Sequence, residues 1–256
     1  MSATPPFDRF DFDLGRAVLE QLIEKFEGLS IGPMAAPSIN SIFPEQGVYQ
    51  LFMRAKLVYA GKTSKTLPSR LLRHHRLLSG RKNITLSDMG FKAVVIHRNW
   101  MPSVHERLVI DHYTGIGFCE WNATGFGNND PGRRREDTIK NRFDLDCPIN
   151  ESFPCAWVDP RTWNVLDLLI SLKQNSPFLF RYQCDPKKRF TKGSVKYNQL
   201  DVVIPKADMT IREILSVVVD RLPAGWQATF FPSHVILYEE PSNKIYQNAT
   251  IVIRKP

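Results

Sequence analysis

Apolar residues recur at Leu14, Val18, Leu22, Ile23 and Phe26, a spacing that predicts an amphipathic helix over Asp13 to Glu27. The stretch from Gly32 to Pro44 breaks that period and reads as a linker. Gly47 to Arg54 and Leu57 to Ala60 are short and rich in β-formers, so a hairpin is expected there, turning near Ala55-Lys56 without an Asn-Gly signal. Pro68-Ser69 then starts a helix running to Ser79, with Arg70 and His74 on one face. Phe91 to His97, apolar apart from Lys92 and His97, reads as a central strand. Pro102 and Ser103 open a further helix in which Glu106, Val109, Ile110 and Tyr113 share a side.

From Gly115 to Arg135 the period is lost among glycine, asparagine and arginine, which predicts a loop. Asp159 to Leu172 reads as helix, broken at Asn175-Ser176-Pro177. A second small α+β unit is expected after it. Phe178 to Tyr182 and Leu200 to Ile204 are its first strands. Thr210 and Glu213 form a capping box opening a helix through Leu222. Ala228 to Phe231, Val235 to Glu239 and Ile251 to Ile253 complete its sheet. Hairpin, helix, strand and helix in that order give an α+β fold. The expected division is an amino-terminal helical arm and linker (1–45), a core (46–135), a helical connector (136–176) and a carboxy-terminal α+β accessory unit (177–256).

Charge changes the picture more than size does. The chain has 256 residues and a formal net charge of +8, which favours a polyanionic partner. Between Arg54 and Arg135, fifteen Lys or Arg face five Asp or Glu, so the basic excess travels with the hairpin and its helix. The four cysteines, at 119, 147, 155 and 184, lack the close spacing of zinc ligands and read as reduced, buried thiols. No run approaches the roughly 18 apolar residues of a membrane span. The first residues carry acids and prolines where a secretory leader needs a basic start, so a cytoplasmic location is expected.

Two phosphate motifs fail. Gly61-Lys62-Thr63 has Lys56 where a phosphate-binding loop needs glycine, and Gly115-Ile116-Gly117 lacks a third glycine. Tyr49 and Tyr59 fit strand aromatics on spacing alone. A chemical role requires positive charge that lowers a phenol from about 10, and Lys62 and Arg70 are the neighbours expected to supply it. Arg70 suits either a phosphate oxygen or a solvated helix face. His74 could bond the phosphate or orient water, although a lone histidine is commonly a surface residue. Glu106 either closes a capping box with Ser103 or binds one Mg²⁺.

Gly47-Val48-Tyr49, Tyr59-Ala60-Gly61, Arg70, Glu106 and Trp121-Asn122 together resemble the GIY-YIG nuclease superfamily. The interval from Arg70 to His74 and the Gly125 to Gly132 string are similar to its type II restriction endonuclease branch. The likeness covers Gly47 to Arg135. Ala60 replaces the usual Ile or Val, and the segment before Arg70 is shorter than in that branch.

The resemblance implies a small mixed or antiparallel sheet flanked by helices, acting as a Mg²⁺-dependent endonuclease on specific double-stranded DNA sites. Tyr49 would be the general base, Tyr59 and His74 would support water and phosphate, Arg70 would hold the scissile phosphate, and Asn122 would orient active-site groups. Glu106 would bind one Mg²⁺ per site, with Mn²⁺ able to substitute. Lys62, Arg73, Arg133, Arg134 and Arg135 are expected to meet DNA. A palindromic target implies a homodimer or higher homo-oligomer, and a protecting DNA methyltransferase would be its functional partner. The alternatives are a homing, repair or single-strand nuclease of the same superfamily, and a noncatalytic DNA-binding module.

Overall fold

The computed structural model describes residues 11–97, 99, 106–115, 117–122, 126, 142–186, 189–240 and 244–255. It divides into two compact units. The first comprises Met1–Arg73 and Ser87–Asn122, the second His74–Leu86 and Ala123–Pro256.

In the first unit, helix α1 (Leu14–Glu27) begins where the Asp13 side chain accepts from the Arg16 amide. The expected linker instead contains β1 (Gly32–Pro33) and the short α2 (Ala36–Asn40). Met34 and Ile39 are buried there, and Pro37 sits in the first turn of α2, where a missing N–H costs nothing. Prolines mimicked a linker because a helix start tolerates them too.

The hairpin forms from β2 (Gly47–Met53) and β3 (Lys56–Thr63). Met53 pairs with Lys56, so the turn is Arg54-Ala55, one residue earlier than the sequence suggested. Both turn residues have positive φ, +49° and +65°, the pattern of a type I′ turn built without glycine. Helix α3 (Leu67–Ser79) follows, then β4 (Met89–Val95), two residues earlier than the expected strand, and α4 (Glu106–Gly115). The capping box proposed at Ser103 lies outside the described residues. The sheet is antiparallel throughout, in the order β1-β4-β2-β3.

One irregularity sets which side chains share a face. Leu51 pairs with Tyr59 but Phe52 pairs with Leu57, which leaves Val58 as an extra residue in β3. In a regular strand Leu57 and Tyr59 would point the same way. The bulge reverses the alternation between them. Leu57 therefore joins Val48, Phe52 and Ala60 against Leu22 and Phe26 of α1 and Val109 and Tyr113 of α4. Tyr59 joins Tyr49, Leu51 and Gly61 on the opposite face, beneath α3.

The second unit includes the end of α3 and α5 (Arg142–Asp146), where a buried Arg81–Asp144 ion pair at 2.7 Å joins the two segments. The sequence predicts helix from Asp159, but β5 (Thr162–Asn164) comes first and pairs with β7 (Asp201–Val203). Asn164 then caps α6 (Val165–Asn175), accepting from the Leu166 and Asp167 amides. Strands β6 (Leu179–Tyr182), β8 (Trp226–Phe230), β9 (His234–Glu239) and β10 (Ile251–Arg254) form a mixed sheet, order β10-β8-β9-β6, with only β6 and β9 parallel. Helix α7 (Ile211–Arg221) carries the expected capping box. Leu168, Leu169 and Leu172 of α6 and Ile214, Leu215 and Val218 of α7 are fully buried in one core, each contributing about 1.5–3 kcal/mol. Among the described residues no helix is long and apolar enough to cross a membrane.

Candidate active site

Sheet register brings the tyrosine strings together. Tyr49 lies opposite Gly61 and Tyr59 lies opposite Leu51, so the two phenols are diagonal neighbours, with ring centroids 6.0 Å apart. Gly61 makes that approach possible. A Cβ there would stand 2.7 Å from the Tyr49 hydroxyl and 2.8 Å from Tyr59 Cε1. Gly47 has a different reason, since a Cβ would lie 2.2 Å from the Val94 carbonyl oxygen of β4.

From α3, Arg70 Nε donates to the Tyr49 hydroxyl oxygen at 3.0 Å. Tyr49 is 1% exposed and Arg70 is half-buried. Burial pushes the Tyr49 phenol well above its ordinary value, and the Tyr59 phenol adds to the rise; the Arg70 charge and hydrogen bond pull it only part of the way back. The sequence expectation of a lowered phenol is therefore reversed in the free protein. For Arg70, burial acts to lower the guanidinium, and the two phenols more than offset it, so its pKa is raised. Arg70 stays a cation.

Lys62 does not share this face. It pairs with Val48, on the side of the sheet that packs against α1 and α4, so Arg70 is the charge acting on Tyr49. Arg73, one turn along α3, is exposed.

Asn122 works through the backbone. Its side-chain oxygen accepts from the Ala60 N–H at 3.0 Å and its amide donates to the Ala60 carbonyl at 2.8 Å. Trp121 N–H donates to the Val58 carbonyl in the same way, so residues 121–122 run along the outer edge of β3. Ala60 lies between Tyr59 and Gly61. Asn122 thus fixes the strand that carries both.

His74 is 1% exposed and stacks on Phe126 at 4.9 Å between centroids, within the second unit. Glu106 is the first residue of α4, and its side chain lies outside the described residues, as do Arg133, Arg134 and Arg135. Among the described residues, no three His, Cys, Asp or Glu gather to hold a metal ion.

Sequence reasoning missed two supports. Gln50, buried between Tyr49 and Leu51 in the chain, shares a hydrogen bond with Tyr113 of α4. The bulge at Val58 also had no local signal.

Residues 53–148 match the family model described as the Eco29kI GIY-YIG domain. Over this segment the chain is similar to a GIY-YIG nuclease domain. The match takes in Tyr59, Arg70, His74, Glu106 and Asn122 and begins four residues after Tyr49, which the hairpin register ties to the same face. A comparison with curated proteins gives no match. That similarity agrees with an antiparallel sheet flanked by helices, in which β2 carries Tyr49 and α3 carries Arg70.

Proposed function

We propose that the protein is a Mg²⁺-dependent DNA endonuclease of the type II restriction kind, hydrolysing phosphodiester bonds at specific double-stranded sites. The observation that carries this reading is the Arg70 Nε to Tyr49 hydroxyl bond on the face shared with Tyr59, in and beside a nuclease domain. Arg70 would hold a nonbridging oxygen of the scissile phosphate and stabilise the charge that develops on it. When the guanidinium turns to phosphate, Tyr49 keeps its place in the strand. A water bound at its hydroxyl then has an oxygen acceptor at hand.

In that step Tyr49, having given up its own proton to solvent, takes a proton from the water as phenolate, the water oxygen bonds to phosphorus, and the bond to the 3′ oxygen breaks, that oxygen taking a proton from solvent. The products are a 5′ phosphate and a 3′ hydroxyl. A buried phenol is a weak acid, and its phenolate a strong base once formed. Tyr59 beside it can share the proton. A single carboxylate completed by water is a donor set that suits Mg²⁺, and Glu106 would supply it. Mg²⁺ there would stabilise the leaving 3′ oxygen.

The basic excess between Arg54 and Arg135 favours a phosphate backbone as partner. Arg133, Arg134 and Arg135 would contact DNA, and a palindromic site would be met by a twofold dimer. A host carrying such an enzyme needs its own sites protected, for which a cognate methyltransferase suffices. Glu106→Ala tests the reading: duplex binding should persist while cleavage in Mg²⁺ disappears. Full cleavage by that variant would remove Glu106 from the mechanism.

A further inference from the structure

A second polar site lies at the start of α3, where the Thr66 carbonyl accepts from the Arg70 amide. The loop between β3 and α3 borders an open pocket of about 540 Å³ whose lining includes Glu45, Ser64, Lys65, Thr66 and His97. Lys65 brings a positive charge, and its side chain is exposed. Asn99 N–H donates to His97 Nδ1 at 3.4 Å, so any donor that the ring offers a ligand is Nε2. Thr66 Oγ1 accepts from the Ser69 amide, so its own hydrogen is a donor as well. Among the described residues, Glu45 is the only carboxylate in this lining.

Position suggests what these donors meet. Thr66 precedes Arg70 by four residues, about 6 Å along a helix, comparable with the step between successive phosphates on one strand. Phe43, 72% exposed, stands one residue before Pro44 of the pocket wall. Exposed aromatics beside cationic grooves stack on sugars and bases.

We propose that this pocket binds a backbone phosphate adjacent to the scissile one, with Lys65 as its charged contact and Ser64, Thr66 and His97 as hydrogen-bond donors. Phe43 lies against the adjoining sugar or base. This rests on the nuclease reading above. Glu45 opposes an anion in the same pocket, so its neutralisation has the opposite sign to the loss of Lys65.

The test is binding of a duplex oligonucleotide by the full chain, without divalent metal, across a series of salt concentrations. Lys65→Ala should reduce the slope of log affinity against log salt by about one, as expected for one lost phosphate contact. Glu45→Gln should bind more tightly than wild type at every salt concentration. Thermal midpoints matched to wild type show that the variants fold, and Glu45→Gln carries the test alone if Lys65→Ala does not. Wild-type slope in Lys65→Ala, or weaker binding by Glu45→Gln, overturns the pocket assignment. Wild-type protein that binds no duplex contradicts the nuclease reading itself.

Discussion

Asn122 grips Ala60 at both ends of its peptide groups, accepting from the N–H at 3.0 Å and donating to the carbonyl at 2.8 Å. A side-chain amide thus completes the edge of β3 between the residue that supplies a phenol and the residue that makes room for one.

Asn122→Ala removes both bonds and leaves two backbone groups of a part-buried edge without their partner, a loss of roughly 1–3 kcal/mol. The variant should melt several degrees lower. Its plasmid cleavage should fall at least tenfold, even at temperatures where it is folded, because Tyr59 and Gly61 lose their anchor. Wild-type activity in a folded Asn122→Ala protein would contradict the positioning role.

The two string glycines should fail differently. In Gly61→Ala the new methyl meets the Tyr49 hydroxyl and the Tyr59 ring, which are side chains that can yield. Activity should therefore collapse with a stability loss of about 1–3 kcal/mol. In Gly47→Ala the methyl meets the Val94 backbone, so the loss should be mainly of folded protein. Denaturant titration alongside cleavage rates separates the two outcomes.

The hairpin turn can be improved. Arg54 and Ala55 both occupy the left-handed region, which costs a residue with a Cβ about 1–2 kcal/mol relative to the right-handed one. Ala55→Gly should relieve that strain and stabilise the protein by about 1 kcal/mol, net of the greater chain entropy of glycine. An unchanged or lower denaturation midpoint would show that the turn is not strained in solution.

Acid should act through the cap of α7. The Thr210 amide, with Lys206 and the Thr210 hydroxyl, lowers the Glu213 carboxyl to about 2 from an ordinary 4.5. A depressed carboxyl adds stability above its unfolded value and loses it as pH falls towards the folded one. The stability difference between wild type and Glu213→Gln should therefore shrink between pH 4.5 and 2. A difference constant across that window would mean that the charge of Glu213 does not support the cap.

Helices and the strands of the hairpin were legible because their residues obey local periods. The capping box at Thr210 and Glu213 reads the same way in sequence and structure. What local reading missed was set by partners distant in sequence. Residues 162–164 became a strand because β7 pairs with them, and the apolar run beyond Asn164 concealed the cap that starts α6. In the site, the resemblance to the family strings grouped Tyr49, Tyr59 and Arg70, where spacing alone favoured plain strand aromatics, and the sheet register brings the three side chains together. The face of Lys62 was not legible, since it depends on pairing with Val48, and the Val58 bulge appears only once Leu51 and Tyr59 are paired. The phenol shift was misjudged for the same reason: charge is visible in sequence, whereas the burial of Tyr49 is a property of the packed sheet.

The most direct test is incubation of the purified protein with unmethylated supercoiled plasmid and Mg²⁺, followed by sequencing of the fragment ends, with Arg70→Ala in parallel. Discrete fragments sharing one short site, with 5′ phosphate and 3′ hydroxyl ends and none from the variant, are expected. Plasmid that remains supercoiled with the wild-type protein in Mg²⁺ and in Mn²⁺, or equal cutting by Arg70→Ala, would contradict the account.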